Sequence, residues 1–280
     1  MSNVRKAKHG WVLTLIFSLI SIAYIMPIVI VLMNSFKRKI FISNRPFALP
    51  DAKSFVKIEN YINGIQKTDF FMAFGYTLFI TVGSVFVIVL CTSMCAWYIS
   101  RVKNKWTTGI YYLFAFSMIV PFQMVMFTLS KIADMLHLGN PVGIIIVYLG
   151  FGAGLAVFMF CGFVRSIPLE IEESAMIDGC NPVQTYFKIV FPIMKPTAIS
   201  VAILETMWVW NDYLLPYLVL KINKYKTIQI AIQYLKGGYG AIDMGAMMAM
   251  IVLAIIPIIL FYGFCQKYII EGVISGAVKG

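Results

Sequence analysis

The chain has 280 residues, is 60% hydrophobic and only 12% charged, and has a mean hydropathy of +0.85. That much apolar surface exceeds what a water-soluble core of this size absorbs. Its net charge of +11 does not mark a nucleic-acid binder, because the basic residues fill gaps between long apolar runs instead of a hydrophilic face. The composition is that of an all-α membrane protein whose partner is the lipid bilayer and whose cations meet anionic headgroups.

A helix needs about 20 apolar residues to cross a hydrocarbon layer about 30 Å thick. Runs at 11–36, 70–100, 106–130, 141–164, 196–220 and 244–266 meet that length, which predicts six transmembrane helices. A short tail, 1–10, precedes them. The first run is too long for a signal peptide and has no small-x-small cleavage site, so it reads as a retained span. Residues 37–69 are mixed and contain Pro46 and Pro50; they predict either a small ordered cap or a loop lying on the membrane surface. The stretch 70–266 forms a five-helix core interrupted by a polar segment at 165–195, and 267–280 is a tail. Pro27, Pro121, Pro216 and Pro257 fall inside apolar runs and predict kinks, not breaks, since neighbouring helices can satisfy the freed carbonyls.

Six spans place both termini on one side together with segment 165–195. Eleven of the 23 lysines and arginines then lie on the terminal side and twelve on the other, so the charge rule leaves the orientation open. Arg101, Lys103 and Lys105 favour termini inside, while Lys37, Arg38 and Lys39 oppose it. Cys91, Cys95, Cys161, Cys180 and Cys265 form no disulfide framework or Cys-x-x-Cys site and read as reduced packing residues. His9 and His137 are the only histidines, which gives a zinc hydrolase no support and leaves the metal assignment at none.

The polar segment concentrates Glu170, Glu172, Glu173 and Asp178, four of the twelve acidic residues, in nine positions. Ser166 reads as an N-cap, Pro168 fits a first turn, and the glutamates suit the positive end of a helix dipole. Asp178-Gly179 supplies a stop, because glycine accepts the left-handed conformation that ends helices. Asn181 with Gln184 makes a capping-box pattern around Pro182. The helix that follows would carry Val183, Tyr186, Phe187, Val190 and Phe191 on one apolar face. Spacing alone leaves two readings: a solvated link between spans, or a rigid helix–turn–helix that docks on a soluble partner.

At these residues the sequence resembles the permease subunits of ATP-binding-cassette importers, whose motif runs Glu-Ala-Ala, a glycine after three more residues, nine residues, then Ile-x-Leu-Pro. Glu173-Ser174-Ala175, Gly179 and Ile189-Val190-Phe191-Pro192 keep every spacing, with Ser174 and Phe191 as modest departures. "WNDYLLPYLVL" (210–220), "GFCQKYIIEGVISGAVKG" (263–280) and "IENYINGI" (58–65) look like the second permease subunit of the carbohydrate-uptake branch. Gly75-Tyr76-Thr77 stands where that branch usually has an Asn-Ser pair. The resemblance, covering about residues 55–280, implies cytoplasmic termini, an external loop at 37–69 and a cytoplasmic coupling helix between spans four and five. It implies that Glu172, Glu173, Ser174, Ala175, Asp178, Gly179, Ile189 and Pro192 couple the chain to an ATPase dimer. It further implies a second permease subunit as heterodimer partner and an extracytoplasmic sugar-binding protein.

No Gly-x4-Gly-Lys-Ser/Thr loop occurs; "LKGGYG" (235–240) lacks the lysine. The chain is therefore expected to bind no cofactor and to catalyse nothing itself, with ATP and Mg on the partner ATPase. Glu205 and Asp212 are the acidic pair within a predicted span, seven residues apart and so on nearly the same helical face, with Trp208 in the same stripe. Three readings stay open: an internal pair with an interfacial aspartate, a sugar path in which the indole stacks on a pyranose, or an ion relay driven by a gradient. Gln123 and Asn211 complete the path candidates as hydrogen-bonding groups of the bundle.

Overall fold

A computed structural model describes residues 10–235 and 242–277; the predicted tail residues 1–9, residues 236–241 with most of the glycine-rich stretch 235–240, and residues 278–280 lie outside the described residues. The chain begins with α1 (Gly10–Asn34), α2 (Lys39–Asn44), α3 (Glu59–Thr68) and α4 (Phe70–Arg101). Next come α5 (Lys105–Ser117), α6 (Phe122–Met135), α7 (Gly143–Val164), α8 (Leu169–Ile177) and α9 (Pro182–Thr185). A π-helical turn at Tyr186–Val190 leads into α10 (Phe191–Ile193), α11 (Lys195–Asn211), α12 (Leu214–Val219), α13 (Ile228–Gln233) and α14 (Met244–Ala277). Four of these helices, α1, α4, α7 and α14, are long and apolar enough to cross a membrane, and two bent pairs, α5 with α6 and the segment Pro182–Ile193 with α11 (75°), raise the number to as many as six.

The prolines do not act alike. Pro27 and Pro257 lie within continuous helices. Pro121 instead sits at a break: α5 ends at Ser117, Pro121 adopts an extended N-cap conformation, and α5 and α6 diverge by 108°. A proline offers no N–H to the helix and drives the residue before it out of the helical region, so the expected kink at 106–130 is a break. The run at 196–220 is likewise divided. Asp212 ends α11 in an extended conformation, and Pro216 falls in the first turn of α12, where its missing N–H has no helical acceptor to lose. Ser166 does not cap α8; its hydroxyl donates to the Phe163 carbonyl at 2.7 Å, and Pro168 holds the N-cap position.

The described residues divide into two compact units, one of 1–70 with 232–257 and one of 71–231 with 258–280. In the first unit, segment 37–69 is an ordered cap. An antiparallel bridge joins Lys37 to Phe55, and the Asn60 amide donates to the Ser35 and Lys37 carbonyls at 2.8 and 2.9 Å. Lys37 is fully buried and donates to the Arg45 carbonyl, and its burial lowers the amine's pKa against the opposing pull of Asp51. Gly64 lets α3 approach Met250 of α14 so closely that a β-carbon there would lie 2.7 Å from the methionine methyl. Lys67 pairs with Asp243. Partial burial pushes the Asp243 carboxyl up, but Lys67, the Ala246 N–H and Lys39 outweigh it and hold it below the usual carboxylate range.

In the second unit α7 is the central helix and packs on α5 and α11. Its sequence is apolar all round, so no amphipathic face orients it. In lipid the hydrophobic effect does not drive helices together, and close approach at small residues takes over. A β-carbon on Gly154 would fall 2.6 Å from Ser117 Oγ, and one on Gly152 would fall 2.7 Å from Ile88 Cδ1 and 2.9 Å from Glu205 Oε2. Around these contacts Ile88, Tyr148, Val157, Phe160 and Val164 form a fully buried core.

Candidate functional site

The polar segment folds against the last turns of α4. Ser93, Trp97 and Arg101 are spaced four apart and share one helical face. The Ser93 hydroxyl hydrogen-bonds the Tyr186 hydroxyl at 2.6 Å, and the Trp97 and Tyr186 rings lie 5.5 Å apart. Glu172 of α8 is only 4% exposed and reaches the other two residues. Arg101 donates through Nε and Nη2 to its Oε1 at 2.9 and 2.7 Å, Trp97 Nε1 donates to its Oε2 at 2.9 Å, and Arg101 Nη2 also donates to the Ile167 carbonyl. Both carboxylate oxygens are thus engaged by charge-assisted or indole donors, which compensates the burial of the charge.

Beyond Glu172 the helix turns outward. Ala175 packs inward, while Glu173, Ser174, Met176, Ile177 and Asp178 are exposed. Gly179 has φ +86° and closes α8 with paired bonds, its own N–H to the Met176 carbonyl and the Cys180 N–H to the Ala175 carbonyl. This 5→2 and 6→1 arrangement needs a left-handed residue at the glycine position. Asn181 and Gln184 then exchange reciprocal bonds of 2.9 and 3.0 Å, the capping box read from the sequence. The continuous apolar face expected after it is split. The π-turn at Tyr186–Val190 adds a residue to the helical repeat, so Tyr186, Val190 and Met194 are buried while Val183 and Phe187 face outward. Ile189 is half-buried and Pro192 exposed.

The path candidates are only partly assembled. Trp208 on α11 is 39% exposed and meets the fully buried Tyr148 ring edge-on at 5.4 Å. Tyr148 donates its hydroxyl to Asp212 Oδ2 at 3.1 Å, and Asp212 Oδ1 accepts from the Leu214 and Leu215 N–H groups. Asp212 therefore does not continue the helical face of Glu205; it ends α11 and caps α12. Glu205 lies buried against Gly152, with Oε2 lacking a partner among the described residues. The Asn211 amide donates back to the Met207 carbonyl at 2.7 Å, and Gln123 is exposed on α6. Of these candidates, the structure joins Trp208 and Asp212 through a residue that sequence reasoning missed, Tyr148. Ser93, Trp97 and Arg101 were missed as well, although a polar stripe at i, i+4, i+8 closing an apolar run was a readable signal.

Residues 88–275 match the family model described as "Binding-protein-dependent transport system inner membrane component". Among curated relatives, the probable starch degradation products transport system permease protein AmyC of Thermoanaerobacterium thermosulfurigenes is 36% identical over 96% of this chain and 97% of its own. The multiple sugar-binding transport system permease protein MsmG of Streptococcus mutans is 31% identical over the whole of both chains. Among solved structures, a chain of a bacterial ABC transporter involved in import of the acidic polysaccharide alginate superposes with a TM-score of 0.79 at 22% identity, covering 92% of this chain and 95% of that one. With its apolar helices and its match over most of its length, this chain is a multi-pass membrane protein that belongs to the binding-protein-dependent transport system inner membrane components, as a carbohydrate-importer permease.

Proposed function

We propose that this chain is the transmembrane subunit of an ATP-driven sugar importer, forming half of the translocation path and transmitting ATP hydrolysis by a partner ATPase dimer to sugar uptake. The observation that carries this reading is the α8 turn, which is clamped to α4 through Glu172 yet presents Glu173, Ser174, Ile177 and Asp178 outward. An element that transmits motion must be rigid toward its own bundle and accessible to its partner, and α8 meets both conditions. Each bent pair counts as one span, which makes six, with both termini and α8 in the cytoplasm. The chain binds no cofactor; ATP and Mg reside on the ATPase. A second permease completes the path, and an external sugar-binding protein delivers the substrate, the latter in keeping with the binding-protein dependence in the family's description. Closure of the ATPase pair moves α8, and the attached spans swing as rigid bodies between inward-facing and outward-facing states.

Purification of this chain from its native membrane should recover a second permease and an ATPase with sugar-stimulated activity, and disruption of residues 173–179 should lose them. A lone chain that transports on an ion gradient would overturn the reading. Within the path, Trp208 is positioned to stack on a sugar ring while Tyr148 and Asp212 hold its orientation. Trp208→Ala should weaken the apparent sugar affinity roughly tenfold, the scale of one lost aromatic contact of about 1 kcal/mol with its buried area. Unchanged affinity and rate in an uptake assay would remove Trp208 from the path.

A further inference from the structure

At the end of the bundle that carries the α8 turn, a cleft of about 480 Å³ opens between the last turn of α4, the first half of α5 and the end of α7. Arg101, Lys103, Arg165, Thr108, Tyr111 and Tyr112 line it, and no carboxylate does. A second hollow shares Lys103, Thr108 and Tyr112 and adds Lys105. The Arg165 guanidinium rests 4.9 Å above the centroid of the Tyr111 ring, which fixes its position. Asn104 caps α5 at the Thr107 N–H, and Asn104 and Lys105 at the positive end of the α5 dipole line the second hollow. The charge of Arg101 is answered by Glu172, whereas Lys103, Lys105 and Arg165 have no acidic counterpart there.

Depth decides what such a cleft holds. It lies where two apolar helices, α4 and α7, come to their ends, and Trp106 and Tyr112 are exposed beside it in the manner of interfacial aromatics. Farther along α5, away from that end of the bundle, Leu113 and Phe116 present exposed apolar surface. A phosphate at the cations with acyl chains along α5 satisfies both halves of this surface. We propose that the cleft is a binding site for the headgroup of an anionic phospholipid, with Lys103 and Arg165 meeting the phosphate and the Tyr112 hydroxyl donating to the headgroup oxygens. Because Arg101 lines the cleft and also holds Glu172, the lipid sits one side chain away from the α8 turn.

The test uses the full chain purified in mild detergent with an equimolar mixture of phosphatidylglycerol and phosphatidylcholine, the retained lipid being read by native mass spectrometry. The chain should retain phosphatidylglycerol preferentially. Lys103→Gln with Arg165→Gln should lower that preference about fivefold per cation removed, and Lys103→Gln alone should show the single-cation loss if the double variant does not fold. Lys188→Gln with Lys195→Gln removes the same charge from exposed positions outside the cleft and should leave the preference intact. An unchanged preference in the cleft variants, or an equal loss in both double variants, would overturn the site. Displacement of the lipid by excess inorganic phosphate would show that the cleft takes free anions instead.

Discussion

Glu172→Ala is expected to lower the stability of the purified chain by about 3–5 kcal/mol, the cost of stranding one partner of a buried ion pair. The variant leaves Arg101, whose side chain is 19% exposed, and the Trp97 indole without their acceptor. Glu172→Gln keeps an acceptor for only one of the two donors, since the amide has a single oxygen and its NH2 donates, and it loses the charge; its stability should fall between the wild type and Glu172→Ala. Replacing both Glu172 and Arg101 by leucine should recover most of the loss, since no charge then remains buried. Thermal denaturation in detergent of the wild type and these three variants measures the effect. A loss below about 1 kcal/mol for Glu172→Ala would mean that the pair behaves as a surface ion pair and that the α8 turn is held by the Tyr186 contacts alone. The leucine pair separates stability from coupling. It should restore the fold but not full sugar-stimulated ATPase activity, because the helix loses its directional tether to α4.

Gly179→Pro strikes the same element at its other end. Proline is confined near φ −65°, whereas Gly179 sits at +86°; it also removes the N–H that reaches the Met176 carbonyl and disfavours the conformation of Asp178 before it. Strain of about 3 kcal/mol corresponds to about two orders of magnitude in the population of the closed turn. Transport and sugar-stimulated ATPase activity of the assembled importer should therefore fall by that factor, while membrane insertion and chain abundance stay unchanged. Gly179→Ala has open space for its methyl group and meets only the left-handed backbone penalty of about 1 kcal/mol, so it should retain partial activity. Normal transport by the proline variant would remove the coupling role from this turn.

These outcomes depend on features of unequal visibility in the sequence. The apolar runs were readable because each is contiguous in the chain, and the glycine stop and the Asn181–Gln184 box because each is set by residues within one or two turns of one another. The bond between Arg101 and Glu172 spans 71 positions, and in a chain with many cations no local pattern selects the partner. Proline was the most misleading letter. Pro27, Pro121 and Pro257 all occur in apolar runs, yet only Pro121 marks a break, since the choice rests on whether packed neighbours sustain the helix. Hydropathy also runs on through Leu214 and Leu215, which hid the end of α11. Asp212 could be recognised as a cap, rather than as a member of the Glu205 face, only once Tyr148 and the α12 N–H groups were seen around it.

The π-turn at Tyr186–Val190 has a bearing on sequence alignment. A regular α-helix advances each residue by about 100°, and the extra residue of a π-turn offsets by that angle everything on one side of it from everything on the other. Val183 and Phe187 point away from the bundle while Tyr186, Val190 and Met194 point into it because of this phase step. Deleting a single residue there would leave a smoother helix and a hydropathy profile almost unaltered. It would nonetheless rotate α9, with the turn that precedes it, by more than a quarter of a circle relative to α11. Within this stretch, a gap of one in an alignment is a change of direction and not a change of length.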